Sequence, residues 1–313
     1  QSSLHAQNFG SSGKQFWIGF MHNLLTPTMT VYISSKNGTT GTVSIPLQGW
    51  SQNFTVAANS TVGVQVPAAA ENVTSEVIGN SGVRVIAVDT VSVYALNYAG
   101  YTSDATLILP DPALGKEYWV MAFKDYFGAP YSGSSELLIV AAYANTLIEI
   151  TPSVATSGGK PAGTPFQITL NAGETYFIDA GGDVSGTKIE AIDNGSGCNN
   201  FAVFGGNECT GIECAYCDHL YDEMFPVPAW GKDFVTIPLL NRASDRFRII
   251  ASANGTQVTI NGGAPTNLNA GQYFDVSLSV ASFISSNNPI SVAQYSKGND
   301  CDAGNLGDPF FII

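Results

Sequence analysis

Charge is the first thing this 313-residue chain lacks. Asp, Glu, Lys and Arg make up 12% of it, about half the usual globular share. Only 12 residues are Lys or Arg, against 25 Asp or Glu, for a formal net charge of −13. A phosphate-binding face needs clustered basic side chains, so nucleic-acid partners are excluded. No apolar run is long enough to span a bilayer, and no segment carries a long amphipathic helical stripe. GxSxG, HExxH and phosphate-loop patterns are all missing. There are three histidines, and neither His5 nor His22 has an Asp, Glu or His neighbour at metal-ligating spacing. Glycosidase chemistry needs two facing carboxylates. Glu117, Glu149 and Asp179 are candidates, but nothing in the sequence pairs them, and they read as solvent-facing strand or turn positions. A non-enzyme is expected.

What the chain does have is apolar residues, at 44%, and an internal triplication. Gly13-Lys14-Gln15-Phe16-Trp17, Gly115-Lys116-Glu117-Tyr118-Trp119 and Gly231-Lys232-Asp233-Phe234-Val235 are three versions of one opening. Leu170-Asn171-Ala172-Gly173-Glu174 and Leu268-Asn269-Ala270-Gly271-Gln272 recur in the second and third copies. Repeats of this kind build scaffolds and binding arrays, whereas a reaction centre is usually a single constellation. Trp17, Trp119 and Trp230 sit at the copy starts and are expected in the core or at junctions.

The dominant period is two. Val83-Arg84-Val85-Ile86-Ala87-Val88, Leu147-Ile148-Glu149-Ile150 and Gln257-Val258-Thr259-Ile260 read as strands with one buried face. Asn37-Gly38 and Asn254-Gly255 suit two-residue turns with positive φ at both central positions. Pro67-Ala68-Ala69-Ala70-Glu71 suits one short helical turn. The reading is all-β: three related antiparallel β-sandwich units in tandem, over residues 1–110, 111–226 and 227–313, the second carrying a Cys-rich segment. The Pro-containing linkers 110–114 and 226–230 predict stiff, packed junctions. Gln1 in place of Met and the apolar stop at Phe310-Phe311-Ile312-Ile313 are those of a trimmed piece of something longer.

Cys198, Cys209, Cys214 and Cys217 crowd one segment and Cys301 stands apart. Three readings fit: structural disulfides, a zinc site completed by His219 and Cys209, or a redox pair at Cys214-Ala215-Tyr216-Cys217. A secreted chain favours oxidised bridges, with Cys209–Cys217 preferred. The partners of Cys198, Cys214 and Cys301 stay open. His219, next to Asp218 and Cys217, reads as a buried anchor, since sequence neighbours rarely converge on one reacting atom.

Two surface features are candidates for binding. The loop Lys124-Asp125-Tyr126-Phe127-Gly128-Ala129-Pro130-Tyr131 is rich in aromatics for a connection. Tyr126, Phe127 and Tyr131, with Trp50, Tyr98 and Tyr101, are side chains on which a glycan would stack. Asp300, Asp302 and Asn305 put hard oxygen donors on a Gly-containing loop, a pattern Ca²⁺ favours; apart from that ion no cofactor is expected. Asn37, Asn53, Asn59, Asn72, Asn194 and Asn254 each open an Asn-x-Ser/Thr triplet.

Cys217-Asp218-His219-Leu220-Tyr221-Asp222-Glu223-Met224, followed by Pro226-Val227-Pro228-Ala229-Trp230-Gly231-Lys232-Asp233-Phe234, resembles the N-terminal domain family of IgG-Fc-binding proteins. The family has Glu-Gln where this chain has Asp222-Glu223. The opening Gly13–Phe20 and the segment Pro289–Tyr295 are also similar. The low basic content and Asn/Thr-rich surface point to a bacterial cell-surface, adhesin-like branch. The resemblance implies a non-catalytic, extracellular adhesion or structural module in the N-terminal part of a large secreted surface protein. Its partner would be a protein or glycan on a surface, or other subunits of a surface assembly. The alternative is a carbohydrate-binding module of an extracellular enzyme.

Overall fold

Side-chain alternation along Val83–Ala99 is what a strand with one dry face requires, and this segment is a single 17-residue strand. In this computed structural model residues 10–124, 133–195, 199–214, 216–298, 301–302 and 309–313 are described. The first unit holds β1 (Ser12–Ile18), β2 (Phe20–Met21), β3 (Thr28–Ser35), β4 (Thr39–Ile45), β5 (Trp50–Val56), β6 (Ser60–Gln65), β7 (Glu71–Asn72), β8 (Ile78–Gly79), β9 (Val83–Ala99) and β10 (Thr102–Ile108). The second holds β11 (Glu117–Trp119), β12 (Ser135–Ala141), β13 (Thr146–Thr151), β14 (Phe166–Leu170), β15 (Thr175–Ala180), β16 (Lys188–Ala191), β17 (Phe201–Thr210) and β18 (Asp218–Glu223). The third holds β19 (Gly231–Thr236), β20 (Asp245–Ala251), β21 (Thr256–Ile260), β22 (Thr266–Leu268), β23 (Tyr273–Leu278), β24 (Ser282–Ser296) and β25 (Phe310–Ile312).

The repeat is one of connectivity as well as sequence. In the first unit β1, β3, β4 and β10 all pair with β9, with β5 beyond β4 and β6 beyond β3. In the third, β19, β20, β21 and β25 pair with β24, with β22 beyond β21 and β23 beyond β20. The register breaks at the same place, between Gly13 and Gln15 and between Gly231 and Asp233. The long strand turns the corner of the sandwich: Arg84–Ala87 pair with β4, and Ser92–Tyr98 with β3. In the second unit that strand is split into β16 and β17, so its two layers are separate sheets. Almost all pairing is antiparallel; β2 and β7 form a two-residue parallel contact, and β8 joins the second unit's sheet beside β15.

Units stack inner face to outer face. Along β12, Leu138 and Val140 join the first unit's core, whereas Leu137, Ile139 and Ala141 join the second's. Along β20, Ile250 joins the second core, and Phe247, Ile249 and Ala251 the third. A sheet buried on both faces loses its polar alternation, and β12 is buried at every residue.

Three devices close each seam. The repeated Asn-Ala-Gly turn seats a left-handed glycine on the tryptophan of the preceding unit: Gly173 (φ 84°) on Trp17 and Gly271 (φ 74°) on Trp119. The glycines of the first two Gly-Lys pairs make room for the proline that starts the next linker, Gly13 for Pro110 and Gly115 for Pro226. Each of those prolines leads into one 3-10 turn, Asp111–Ala113 or Val227–Ala229. At the first seam, carboxylates of β18 and β10 accept backbone N–H groups across the gap. Tyr221 N–H donates to Asp104 Oδ2 (3.0 Å) and Leu109 N–H to Glu223 Oε2 (2.8 Å). At the second seam the buried Arg248 donates to Asp183 Oδ2 (2.7 Å), Asp275 Oδ1 (2.7 Å) and the Ala122 carbonyl (2.7 Å).

Two local expectations change. Only the glycine of each Asn-Gly pair is left-handed, Gly38 at φ 79° and Gly255 at φ 69°; in the second unit Asn145 takes that place at φ 54°. One left-handed residue suffices because each loop is longer than a two-residue hairpin and closes through a side chain, Ser35 Oγ accepting from Gly38 N–H (3.1 Å) in the first. Asn72 is not an exposed glycan acceptor: it is buried and donates to the Phe20 carbonyl (2.9 Å). The Ala-rich segment forms the 3-10 turn Ala68–Ala70.

Gly206 lies where a Cβ would overlap the Leu220 carbonyl oxygen of the neighbouring strand. Backbone cannot step aside as a side-chain tip can, so Gly206→Ala is expected to cost about 3 kcal/mol or more. Urea unfolding of the variant checks this, and an unchanged midpoint would show that β17 and β18 separate freely.

Candidate functional site

Of the predicted binding residues, Trp50, Tyr98 and Tyr101 are among those described. Trp50 opens β5 and is partly buried against the first core. Tyr126, Phe127 and Tyr131 fall outside the described residues, as do Asp300, Asn305 and Cys198. Asp302 is described, and both its oxygens meet protein donors: Oδ1 accepts from Ala243 N–H (2.9 Å) and Oδ2 from Arg242 (3.4 Å). Tyr98 and Tyr101 are exposed.

The Cys-rich segment is oxidised. Cys209 joins Cys217 (Cα–Cα 5.2 Å), and Cys214 joins Cys301 (5.4 Å) across 87 residues. The two cysteines of the CxxC spacing therefore have different partners, which leaves no redox pair, and no thiolate from these four for zinc. The second bridge ties the loop after β17 to the third unit, so the second seam is covalently clamped. His219, one residue into β18, is fully buried, stacks on Tyr221, and donates through Nδ1 to the Glu208 carbonyl (3.3 Å). Burial pushes its pKa down to about 4, so it is neutral.

The structure gathers residues at the first seam that the sequence keeps far apart. Glu136 on β12 stands opposite Asp179 on β15 and Gly206 on β17, which places Glu208 on the same face. From the first unit come His22 and Glu71. His22 Nδ1 is 3.0 Å from Glu71 Oε1, and its Nε2 is 3.6 Å from Glu208 Oε1. Its lack of a sequence-local partner is thus made good by partners from two other strands. The Glu71 hydrogen bond raises the His22 pKa, against the desolvation that lowers it. Glu136 is 1% exposed and its carboxylate is met by the His22 backbone N–H; Oδ1 of Asp179 has no hydrogen-bond partner. Burial, then the Glu208, Asp179 and Glu71 charges, push the Glu136 pKa well above the usual carboxylate range.

Sequence inspection missed Glu136, although it is the one charge inside the apolar run Ser135–Ala141. Of the carboxylates it did name, Glu117 lies 3.8 Å from Lys188 and Glu149 accepts from Gln167 (2.9 Å), both on open strand faces. Glu117 and Glu149 each stand cross-strand from Glu190, and Asp179 stands cross-strand from Glu136. The Glu136–Asp179 pair lies on the face of β12 that packs against the first unit.

A family model described as IgGFc binding protein matches residues 104–313. The human IgGFc-binding protein is 28% identical over 312 residues, which is 95% of this chain and 6% of that protein. The chain therefore spans a small part of the curated relative it matches. No solved structure matches it. No helix among the described residues is long and apolar enough to cross a membrane.

A partly buried acid of β18 gives the first seam a pH signature. Asp222 accepts from Thr106 and from Ile313 N–H (3.0 Å), yet desolvation dominates and pushes its pKa up to about 7. A raised carboxylate pKa means the folded chain holds the proton more tightly. The resulting stability is full below the ordinary carboxylate range and lost as pH rises through about 7. Each pH unit in that window removes up to about 1.4 kcal/mol through this group. Asp222→Asn is expected to flatten the fall in unfolding midpoint between mildly acidic and neutral pH. Parallel wild-type and variant profiles would rule the assignment out.

Proposed function

From the chain's membership of the IgGFc binding protein family, which the match over residues 104–313 establishes, we propose an extracellular, non-catalytic module of adhesion or scaffolding. We take 1–110, 111–226 and 227–313 as its units, in the N-terminal part of a large secreted surface protein. The observation that carries the reading is the stack itself. Three units of one design are held in fixed order by seam glycines, buried ion pairs and a disulfide. The result is a stiff body whose outer loops and edges are free to meet a partner. Its partners are a protein or glycan on a surface, or other subunits of an assembly. Extracellular placement rests on the two disulfides, which persist in oxidising compartments.

A second reading, a carbohydrate-binding module of an extracellular enzyme, draws on one feature. Tyr32 and Tyr94 are cross-strand partners on the open face of the first sheet, and Tyr98 follows two positions along on the same face. All three are exposed, Tyr98 at 51%. Ring faces arranged in a row suit stacking on sugars.

Beads coated with the chain are expected to attach to a glycoprotein-coated surface under flow. Attachment no better than that of albumin-coated beads would end the adhesive reading. Tyr94→Ala with Tyr98→Ala separates the two readings: at least about a tenfold loss of binding to free glycans, with the unfolding midpoint kept, favours the carbohydrate module. Unchanged attachment favours contact through other surfaces.

A further inference from the structure

Every seam has two halves, and each end of the stack keeps one half uncovered. One half comes from the opening strand. In the first two units Trp17, Gly19 and Met121 are buried there and Trp119 is partly buried. In the third unit the register puts Val235 where the tryptophans stand and Ile237 where Gly19 and Met121 stand. These two are 70% and 67% exposed. The other half is the outward side of the next sheet. On β12 and β17 it presents the cross-strand pair Leu138 and Phe204, both buried in the first unit's core. The matching pair on β3 and β9 is Tyr32 and Tyr94, and both are exposed. Sizes at the two ends also match. Inside the stack a left-handed glycine meets a tryptophan, Gly173 on Trp17 and Gly271 on Trp119. At the ends that turn residue is Asn59 (φ 53°), and the tryptophan's place holds the smaller Val235. Gly19 lies where a Cβ would meet Leu138 and Val140. At the ends Ile237 replaces that glycine, and Ser34 stands at Val140's position. In both pairs one side grows where the other shrinks.

We propose that the third unit of one copy docks on the first unit of a second copy, through the seam already used twice inside the chain. Copies then assemble head to tail. This takes up the assembly reading of the proposed function, on which it rests, and makes the chain its own subunit. A stack of repeats stops where its terminal faces are polar. Here both terminal faces carry apolar side chains, and each is the half that the other lacks. The contact is heterologous, with different surfaces on the two partners, and an unclosed series of such contacts grows as a filament. Apolar burial drives it, from Val235, Ile237 and Phe283 on one side and Tyr32, Tyr94 and Tyr98 on the other. Charge opposes it, since each copy carries a formal −13. Added salt screens that repulsion and is expected to strengthen the association.

Sedimentation velocity of the whole chain, from low micromolar to submillimolar concentration and in dilute and physiological salt, tests this. The mean mass is expected to rise with concentration, and further with salt. Val235→Lys and Tyr94→Lys each place a cation at an exposed strand position. Each is expected to keep the unfolding midpoint and to leave the chain monomeric. Lysine lowers the net negative charge, so the loss does not come from added repulsion. In a mixture, each variant keeps the half-seam that the other has lost. The mixture is therefore expected to form dimers and nothing larger. A chain that is monomeric at every concentration overturns the proposal; it is the result expected if some other sheet covers the third unit. Bead attachment by such a monomer would leave the adhesive reading standing. Association lost in Val235→Lys but kept in Tyr94→Lys would mean that two third units face each other, and the reverse that two first units do. Either result, or a mixture without dimers, overturns it equally.

Discussion

The inner face of one sheet covered by the outer face of the next is the constraint on which this molecule depends. It explains why β12 is buried on both faces while β3, its counterpart in the first unit, alternates. It also explains why the repeated turns hold glycine. A side chain at Gly173 or Gly271 would press on the indole that the turn is meant to cover. Hydrophobic contact sets the spacing of the units, and the polar groups trapped between them must then find partners there.

Those partners are found differently at each seam. At the first, aspartate and glutamate side chains take backbone N–H groups that a continuous sheet would satisfy by ladder bonding, as Asp104 does for Tyr221 and Glu223 for Leu109. At the second, one guanidinium does the same work with two aspartates and a carbonyl, and rests on Phe123 and Tyr273 at 4.8 and 4.1 Å. The chain is poor in charge overall, yet much of what it has is concentrated between units. Its low Lys and Arg count is therefore a matter of position: Arg84 and Lys188 lie over Trp17 and Trp119, and Arg248 is buried.

The all-β class, the threefold repeat and the segment that carries the family likeness were legible in the sequence, because period-two alternation and a recurring Gly-Lys opening are local signals. The inner-to-outer stacking was not, since a strand buried on both faces reads simply as an apolar run. Nor was the acidic seam. Glu71, Glu136, Asp179 and Glu208 are spread over more than a hundred residues, and only the pairing of β12 with β15 and β17 brings three of them to one face. His22 looked isolated for the same reason. Glu136 was the visible clue: a carboxylate in the middle of Ser135–Ala141 is costly unless something specific meets it.

The third unit closes on a different note. Where the first two present Trp17 over Arg84 and Trp119 over Lys188, it presents the cross-strand pair Val235 and Phe283, 70% and 47% exposed. Val276 and Val292 are only partly buried, whereas their counterparts Val64 and Val93 in the first unit are sealed. Opening a sheet that is sealed on one face releases less water-shielded surface than opening one sealed on two. Amide hydrogens should therefore exchange along a gradient, slowest in β12 and β17 and fastest in β19 and β23, so that transient fraying starts at one side of the stack and runs inward.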